Sequence, residues 1–157
     1  MAQRCHDSIL SPAPLWLHVM TWANRYVGIS YADISEPAEN GLDCWQLVRV
    51  VLREQFEIEI PSLRYPVSTD YEKFYQHFLA DYASFSQCFY KVVVPYEGDL
   101  VLICKNKIPA HVGIMVNGSH FLHTTPSTGA VIEKLNEHWK DRLDGIYRHQ
   151  SKRAADP

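Results

Sequence analysis

The sequence contains no apolar run approaching the roughly 20 residues that a helix needs to cross a bilayer, so membrane insertion is not expected. It has no block of lysine and arginine, and its formal net charge is −3. A generic nucleic-acid binder would carry the opposite balance. The four cysteines, Cys5, Cys44, Cys88 and Cys104, form no Cys-x-x-Cys pair. That spacing fits neither a zinc ribbon nor the dense disulfide framework of a small secreted domain. They read as reduced thiols in a chain made in a cytoplasm, although the sequence leaves two bridges among them open. No export signal is expected: only Arg4 precedes the stretch from Ser8 to Leu17, which Pro12 and Pro14 interrupt. Internal repeats, low-complexity linkers and a His-Glu-x-x-His helix are also missing.

What is present is the composition of a globular domain: 157 residues, 46% hydrophobic and 21% charged. That length can bury a sizeable core, and one domain over residues 1–157 is expected, with 1–14 and 150–157 as flexible ends. Trp16, Val19, Met20, Ala23 and Val27 recur at the spacing of one helix face over Leu15 to Val27, and Gly28 ends the pattern. A loop with Pro37, Asn40 and Gly41 delivers the chain to Asp43. Leu47, Val48, Val51, Leu52 and Phe56 then predict a helix from Cys44 to about Phe56. Another helical pattern runs from Asp70 to about Phe89. After Pro95 the texture changes to short β-branched or aromatic runs: Leu100 to Cys104, His111 to Val116, His120 to Thr125, Ala130 to Leu135 and Gly145 to His149. Helices first and strands afterwards predict an α+β fold.

Cys44 stands where a nucleophilic cysteine can be activated. Asp43 is a favoured N-cap residue, and Gln46 lies where a capping-box partner would be. Cys44 then occupies the first helical position, facing unpaired N–H groups and the positive end of the dipole, which lower a thiol's pKa. Alkylation well below pH 8 is the corresponding expectation, and the Cys44 N–H is a candidate oxyanion donor. A small buried hydrophobe that happens to open a helix would give the same local sequence.

The second constellation is a hairpin, His111-Val-Gly-Ile-Met-Val116, then Asn117-Gly118, then Ser119-His-Phe-Leu-His123. A two-residue turn at Asn117-Gly118 sets His111 and His123 on opposite faces. A three-residue loop of Val116, Asn117 and Gly118, with Gly118 left-handed, pairs Met115 with Ser119 and places the histidines directly across from one another, about 5 Å apart at Cβ. The bulged loop is the form expected here, with both histidines on the face of Cys44. Val112, Ile114 and Leu122 would supply the core on the opposite face in either register. His120 and His123, the candidate zinc ligands, point to opposite faces of a strand, so no metal is expected.

These residues resemble the NlpC family of peptidoglycan peptidases. Leu42-Asp43-Cys44-Trp45-Gln46-Leu47-Val48 looks like its nucleophile motif. Gly98-Asp99-Leu100-Val101, His111-Val112-Gly113-Ile114 and Phe121-Leu122-His123 look like its strand motifs, in the family order. Gly28-Ile29-Ser30-Tyr31 resembles the element whose tyrosine lines the active site. The resemblance runs from about Leu15 to His149 with a poorly matching middle. It implies a papain-like fold, the nucleophile helix packed on a five- to six-stranded antiparallel sheet, and a cofactor-free thiol hydrolase of stem-peptide amide bonds. It also implies roles: Cys44 as nucleophile, His111 as base, His123 as orienter, Tyr31 and Asp43 lining the substrate site. Trp45 and Gln46 depart from the family's usual Ser-Gly. A tryptophan at this place resembles the branch found in phage tail proteins, where Trp45 would meet substrate, although it could equally be core.

A phage tail tip, with tail-tip proteins as partners, or a secretion apparatus would bring such an enzyme to the cell wall or periplasm. A structural tail module and an acyltransferase on a related fold are the rival readings. The first has no need of Cys44, His111 and His123 together. The second would favour an amphipathic anchor, which the sequence lacks.

Overall fold

Asp43 begins the helix that positions everything after it. A computed structural model describes residues 22–33, 36, 38–62 and 85–155 of the chain. Within it, helix α1 spans Cys44–Phe56, and the Asp43 side chain accepts from the N–H of Gln46 at 2.8 Å. Leu47, Val48, Val51 and Leu52 recur on one face of α1 and are fully buried, each stabilising by roughly 1.5–3 kcal/mol relative to exposure.

That face packs on a six-stranded antiparallel sheet. Its strands are β1 (Phe89–Val92), β2 (Leu100–Lys105), β3 (Ile108–Met115), β4 (His120–Thr125), β5 (Gly129–Lys134) and β6 (Leu143–His149), in spatial order β1-β6-β2-β3-β4-β5. Helix followed by antiparallel sheet is the expected α+β architecture. Strand residues alternate between two apolar clusters. Leu100, Leu102, Val112, Ile114 and Leu122 face α1, whereas Val101, Met115, Phe121, Leu135 and Ile146 pack on the other side. A four-residue helix, α2 (Glu137–Lys140), lays Trp139 against that second cluster.

The structure differs from the sequence expectations at three places. The predicted helix from Asp70 to Phe89 lies mostly outside the described residues; 85–88 are helical, and Phe89 opens strand β1. Leu15 to Thr21 also lie outside them, and the end of that pattern is a 3-10 turn, Ala23–Arg25. Gln150–Ala155 form a 3-10 helix where polar composition predicts a flexible end; the Gln150 side chain donates to the carbonyl of Gln87, and Lys152 to that of Glu97.

The hairpin turn is the fourth correction. Met115 pairs with Phe121 and Ile114 with Leu122, and the N–H of Val116 donates to His120. The loop is therefore Asn117, Gly118 and Ser119, two register steps from the expected one, and Gly118 is not among the glycines at positive φ. Asn117 supplies the reason. Its Oδ1 accepts from the N–H groups of Ser119 at 2.8 Å and His120 at 2.9 Å, a side-chain turn that makes a left-handed glycine unnecessary. A shift of two preserves which face each residue occupies. Gly113 now sits against β4, where a Cβ would come within 2.6 Å of Phe121 Cδ2 and 3.2 Å of His123 Cβ.

Asp99, noted only as part of a motif, anchors the sheet. Buried Arg148 donates from Nε to Asp99 Oδ1 at 2.9 Å and from a terminal nitrogen to Oδ2 at 2.8 Å, and the Tyr96 N–H donates to Oδ2 at 2.7 Å. Asp99→Ala leaves a buried guanidinium without its carboxylate, and urea unfolding should show a loss of about 3–5 kcal/mol. Glu137→Ala, which breaks the exposed pair with Lys140, should cost under about 1 kcal/mol. Equal midpoints for the two variants would contradict the anchoring role.

Candidate active site

Tyr31 reaches α1 through a backbone crossing. The N–H of Leu42 donates to the carbonyl of Ser30 at 2.9 Å. Gly41, at φ +143°, allows that approach: a Cβ there would lie 2.1 Å from the Ser30 oxygen. The Gly28–Ile29 segment is tied in turn to β5, Gly28 donating to Ala130 and Ala130 to Ile29. The phenol of Tyr31 thus comes within electrostatic reach of Cys44 and Asp43. Its pKa is raised, first by burial and then by the negative forms of Cys44, Asp33 and Asp43.

Asp43 is buried, and burial raises its carboxyl pKa against the pull of the Gln46 and Trp45 N–H groups. Trp45, expected to meet substrate, donates its indole N–H to the carbonyl of Pro61 at 2.9 Å and sits 6.5 Å from the ring of Phe85. Its one donor is therefore engaged within the fold.

The thiol of Cys44 meets β3 at the backbone N–H of Val112, the residue beside His111. Burial pushes its pKa up to about 11, although the N–H groups of Val112, Trp45 and Cys44 pull the other way. This corrects the expectation of a thiol activated by the helix start: removing a thiolate from water costs more than the helix end returns. Cys44, Cys88 and Cys104 are free thiols, and Cys5 lies outside the described residues.

His111 and His123 are neighbours. His111 Nε2 lies 2.9 Å from His123 Nδ1, and His123 Nε2 lies 2.9 Å from Glu133 Oε2. By strand alternation the two rings stand on the Met115 and Phe121 side of the sheet, not on the side against which the body of α1 packs. The expectation that they share the helix face is corrected accordingly, and Cys44, in the first turn of α1, meets β3 at its fifth residue, Val112. Trp139 covers the pair, its ring 6.3 Å from that of His111 and 5.1 Å from that of His123. Burial lowers the pKa of His111 to about 4, with the charges of His123 and Arg142 adding to the effect. Burial also lowers that of His123, against the hydrogen bond and charge of Glu133.

Glu133, Trp139 and Arg142 escaped the sequence reading, since a strand glutamate and a short-helix tryptophan carry no motif. Together with the hairpin they fix where the protons are. A carboxylate only accepts, so His123 must carry its proton on Nε2. Neutral His123 then presents a lone pair on Nδ1, and His111 must donate to it from Nε2. What remains on His111 is an unprotonated Nδ1, able to accept a proton. Among the described residues no three His, Cys, Asp or Glu side chains converge to hold a metal.

The chain matches the NlpC/P60 family over residues 25–148 and belongs to that family. It is 30% identical over 122 residues to the murein DD-endopeptidase MepS/murein LD-carboxypeptidase of Escherichia coli strain K12, a match covering 77% of this chain and 56% of that protein. The chain thus spans little more than half the length of this relative. Two solved structures share the fold at 18% identity. One is an NLP/P60-family protein similar to a lipoprotein, from Staphylococcus aureus subsp. aureus Mu50, with TM-score 0.56, covering 92% of this chain and 44% of the other. The second is the NlpC/p60 domain of the peptidoglycan hydrolase SagA, with TM-score 0.53 and coverage of 83% and 95%. The fold is the papain-like one expected from the sequence.

Two measurements check the electrostatics of the site. Because burial raises the Cys44 pKa to about 11, little thiolate exists at neutral pH, and iodoacetamide labelling of Cys44 should climb only above pH 9. Rapid labelling at pH 6–7 would contradict it. In 15N NMR spectra, His111 should appear as the Nε2–H tautomer. Glu133→Gln, which keeps an acceptor oxygen, should preserve that state, whereas Glu133→Leu should release a tautomer mixture.

Proposed function

We propose that this protein is a cysteine peptidase that hydrolyses amide bonds in the stem peptides of peptidoglycan. The observation that carries this reading is the line His111–His123–Glu133, which leaves a basic nitrogen on the residue beside the Val112 N–H that holds the Cys44 thiol. Membership of the NlpC/P60 family and the likeness to a murein endopeptidase support the choice of substrate.

With the Cys44 pKa at about 11 and that of His111 at about 4, both groups are neutral at pH 7, so His111 acts as general base during the attack. Its Nδ1 takes the thiol proton as sulfur bonds to the amide carbonyl. The tetrahedral oxygen is met by N–H donors of the α1 start. His111 then hands the proton to the departing nitrogen as the C–N bond breaks, and water, activated by the same nitrogen, releases the acyl group from sulfur. His123 holds the ring of His111 throughout. Tyr31 and Asp43 line the acyl side, where Asp43 can meet a substrate ammonium. Trp45 sets the bulk beside the nucleophile and alters selectivity in place of the family's serine. Delivery by a phage tail tip to the cell wall or periplasm rests on the resemblance of Trp45 to that branch, and recovery of the chain from purified virions tests it.

Digestion of purified peptidoglycan, with products identified by mass, tests the activity. Cys44→Ala and His111→Ala should each abolish turnover, with losses that do not add in the double variant. His123→Ala should lose less, and His123→Asn should regain part of the loss by still accepting from the ring. Full activity in Cys44→Ala would end the proposal. Hydrolysis of a simple thioester with no cleavage of any peptidoglycan fragment would favour an acyltransferase instead.

A further inference from the structure

The surroundings of the proposed nucleophile and base are not symmetric. Among the described residues, Asp43 and Tyr31 are ionisable neighbours of Cys44. On the other side of His111 lies a separate cavity of about 170 Å³, lined by Lys105, Ala110, His111, Thr125, Trp139 and Arg142 among others; of the described residues, Cys44, Tyr31 and Asp43 do not border it. Its cation is held in place. The carbonyl of Arg142 accepts from the Cys104 N–H at 2.7 Å, and its own N–H donates to the carbonyl of Trp139 at 3.1 Å. The guanidinium carbon stands 4.7 Å from the centroid of the Trp139 ring, the ring that covers His111. Such packing against an aromatic face restrains the side chain and leaves its N–H donors directed outward.

Amide hydrolysis by a thiol and a histidine assigns the two halves of the substrate to different sides. The acyl half becomes bonded to sulfur. The amine half must present its nitrogen to His111, which supplies the proton as the C–N bond breaks. In the proposed reaction the residue carrying that nitrogen would extend past His111, and the cavity that holds Arg142 borders that histidine.

We propose that this cavity is the subsite for the amine-side residue of the substrate, and that it selects a residue bearing a free carboxylate, which Arg142 binds. The inference rests on the proposed peptidase reading and sharpens it: the preferred scissile bond lies next to an unblocked acidic group. With Asp43 on the acyl side, the groove runs from an anion to a cation and orients a substrate that carries an ammonium at one end and a carboxylate at the other.

The test uses the full chain and two probes, stem peptides that differ only in whether the residue on the amine side of the scissile bond carries a free carboxylate or the corresponding carboxamide. Wild type should cleave the acid with a kcat/KM about tenfold or more above that of the amide, as a charge-assisted hydrogen bond warrants. In Arg142→Gln the preference in kcat/KM should shrink to about twofold or less. Calorimetric titration of both probes into Cys44→Ala, and into Cys44→Ala combined with Arg142→Gln, reads the subsite without turnover. Selective binding of the acid, lost with Arg142, supports the subsite even if wild type cleaves neither probe, in which case only the peptidase reading falls. Equal cleavage of acid and amide, or equal binding with Arg142 present and absent, overturns the carboxylate subsite and leaves the peptidase reading intact.

Discussion

His111 and His123 can meet at 2.9 Å only because their strands are registered so that both rings emerge on one side of the sheet. Side chains alternate along a strand, so any even shift of β4 against β3 preserves this, and any odd shift separates the histidines. The turn decides the parity. Asn117 closes a three-residue loop with its own side chain, and Gly113 leaves the room across from His123 that a Cβ would fill. Everything downstream depends on that geometry: the acceptor nitrogen of His123, the donor nitrogen of His111, and the free Nδ1 beside the strand residue that holds the Cys44 thiol.

Much of this was legible in the sequence, and the reason differs by element. The α1 boundaries follow from Asp43 and the periodic Leu47, Val48, Val51 and Leu52, because a cap and an apolar face are local properties. Five of the strands follow from short β-branched runs after Pro95. Strand β1 does not: Phe89 to Val92 carry no turn signal, and only pairing with β6 makes them a strand. The loop register lies two residues from the expected one because Asn-Gly permits several turns, and the Asn117 side-chain bonds that choose among them form only in the folded hairpin. Asp99 shows the reverse case. Its motif was visible, but its physical role, pairing with Arg148 across a separation of 49 residues, was not.

The largest departure concerns the thiol. A helix start lowers a cysteine's pKa when water still reaches the sulfur, and the sequence contains the helix start but not the burial. In the folded chain, desolvation outweighs the N–H groups of Val112, Trp45 and Cys44 and raises the pKa to about 11. The same burial lowers His111 to about 4. An acid made weaker and a base made weaker do not form an ion pair at rest. At neutral pH the proton stays on sulfur, and in the proposed reaction the activation would fall in the step of attack rather than in the free protein.

Trp139 joins these observations. Its ring covers both histidines from the sheet's second face, and by excluding water it strengthens the hydrogen bond between them while making their charged forms expensive. Glu133 offsets part of that cost for His123, being half-exposed and able to retain its own hydration while accepting from Nε2. Solvent access therefore differs along the line, with His123 the most enclosed of the three. The carboxylate sits in partial contact with water, His123 is almost fully enclosed, and His111 opens onto a cavity where Arg142 stands. A proton accepted by His111 is thus stabilised through His123 by a negative charge on one side and opposed by a positive charge on the other. Binding an anion at Arg142 would remove the opposing charge, so the occupant of that cavity and the basicity of His111 are physically linked through the same few ångströms of structure.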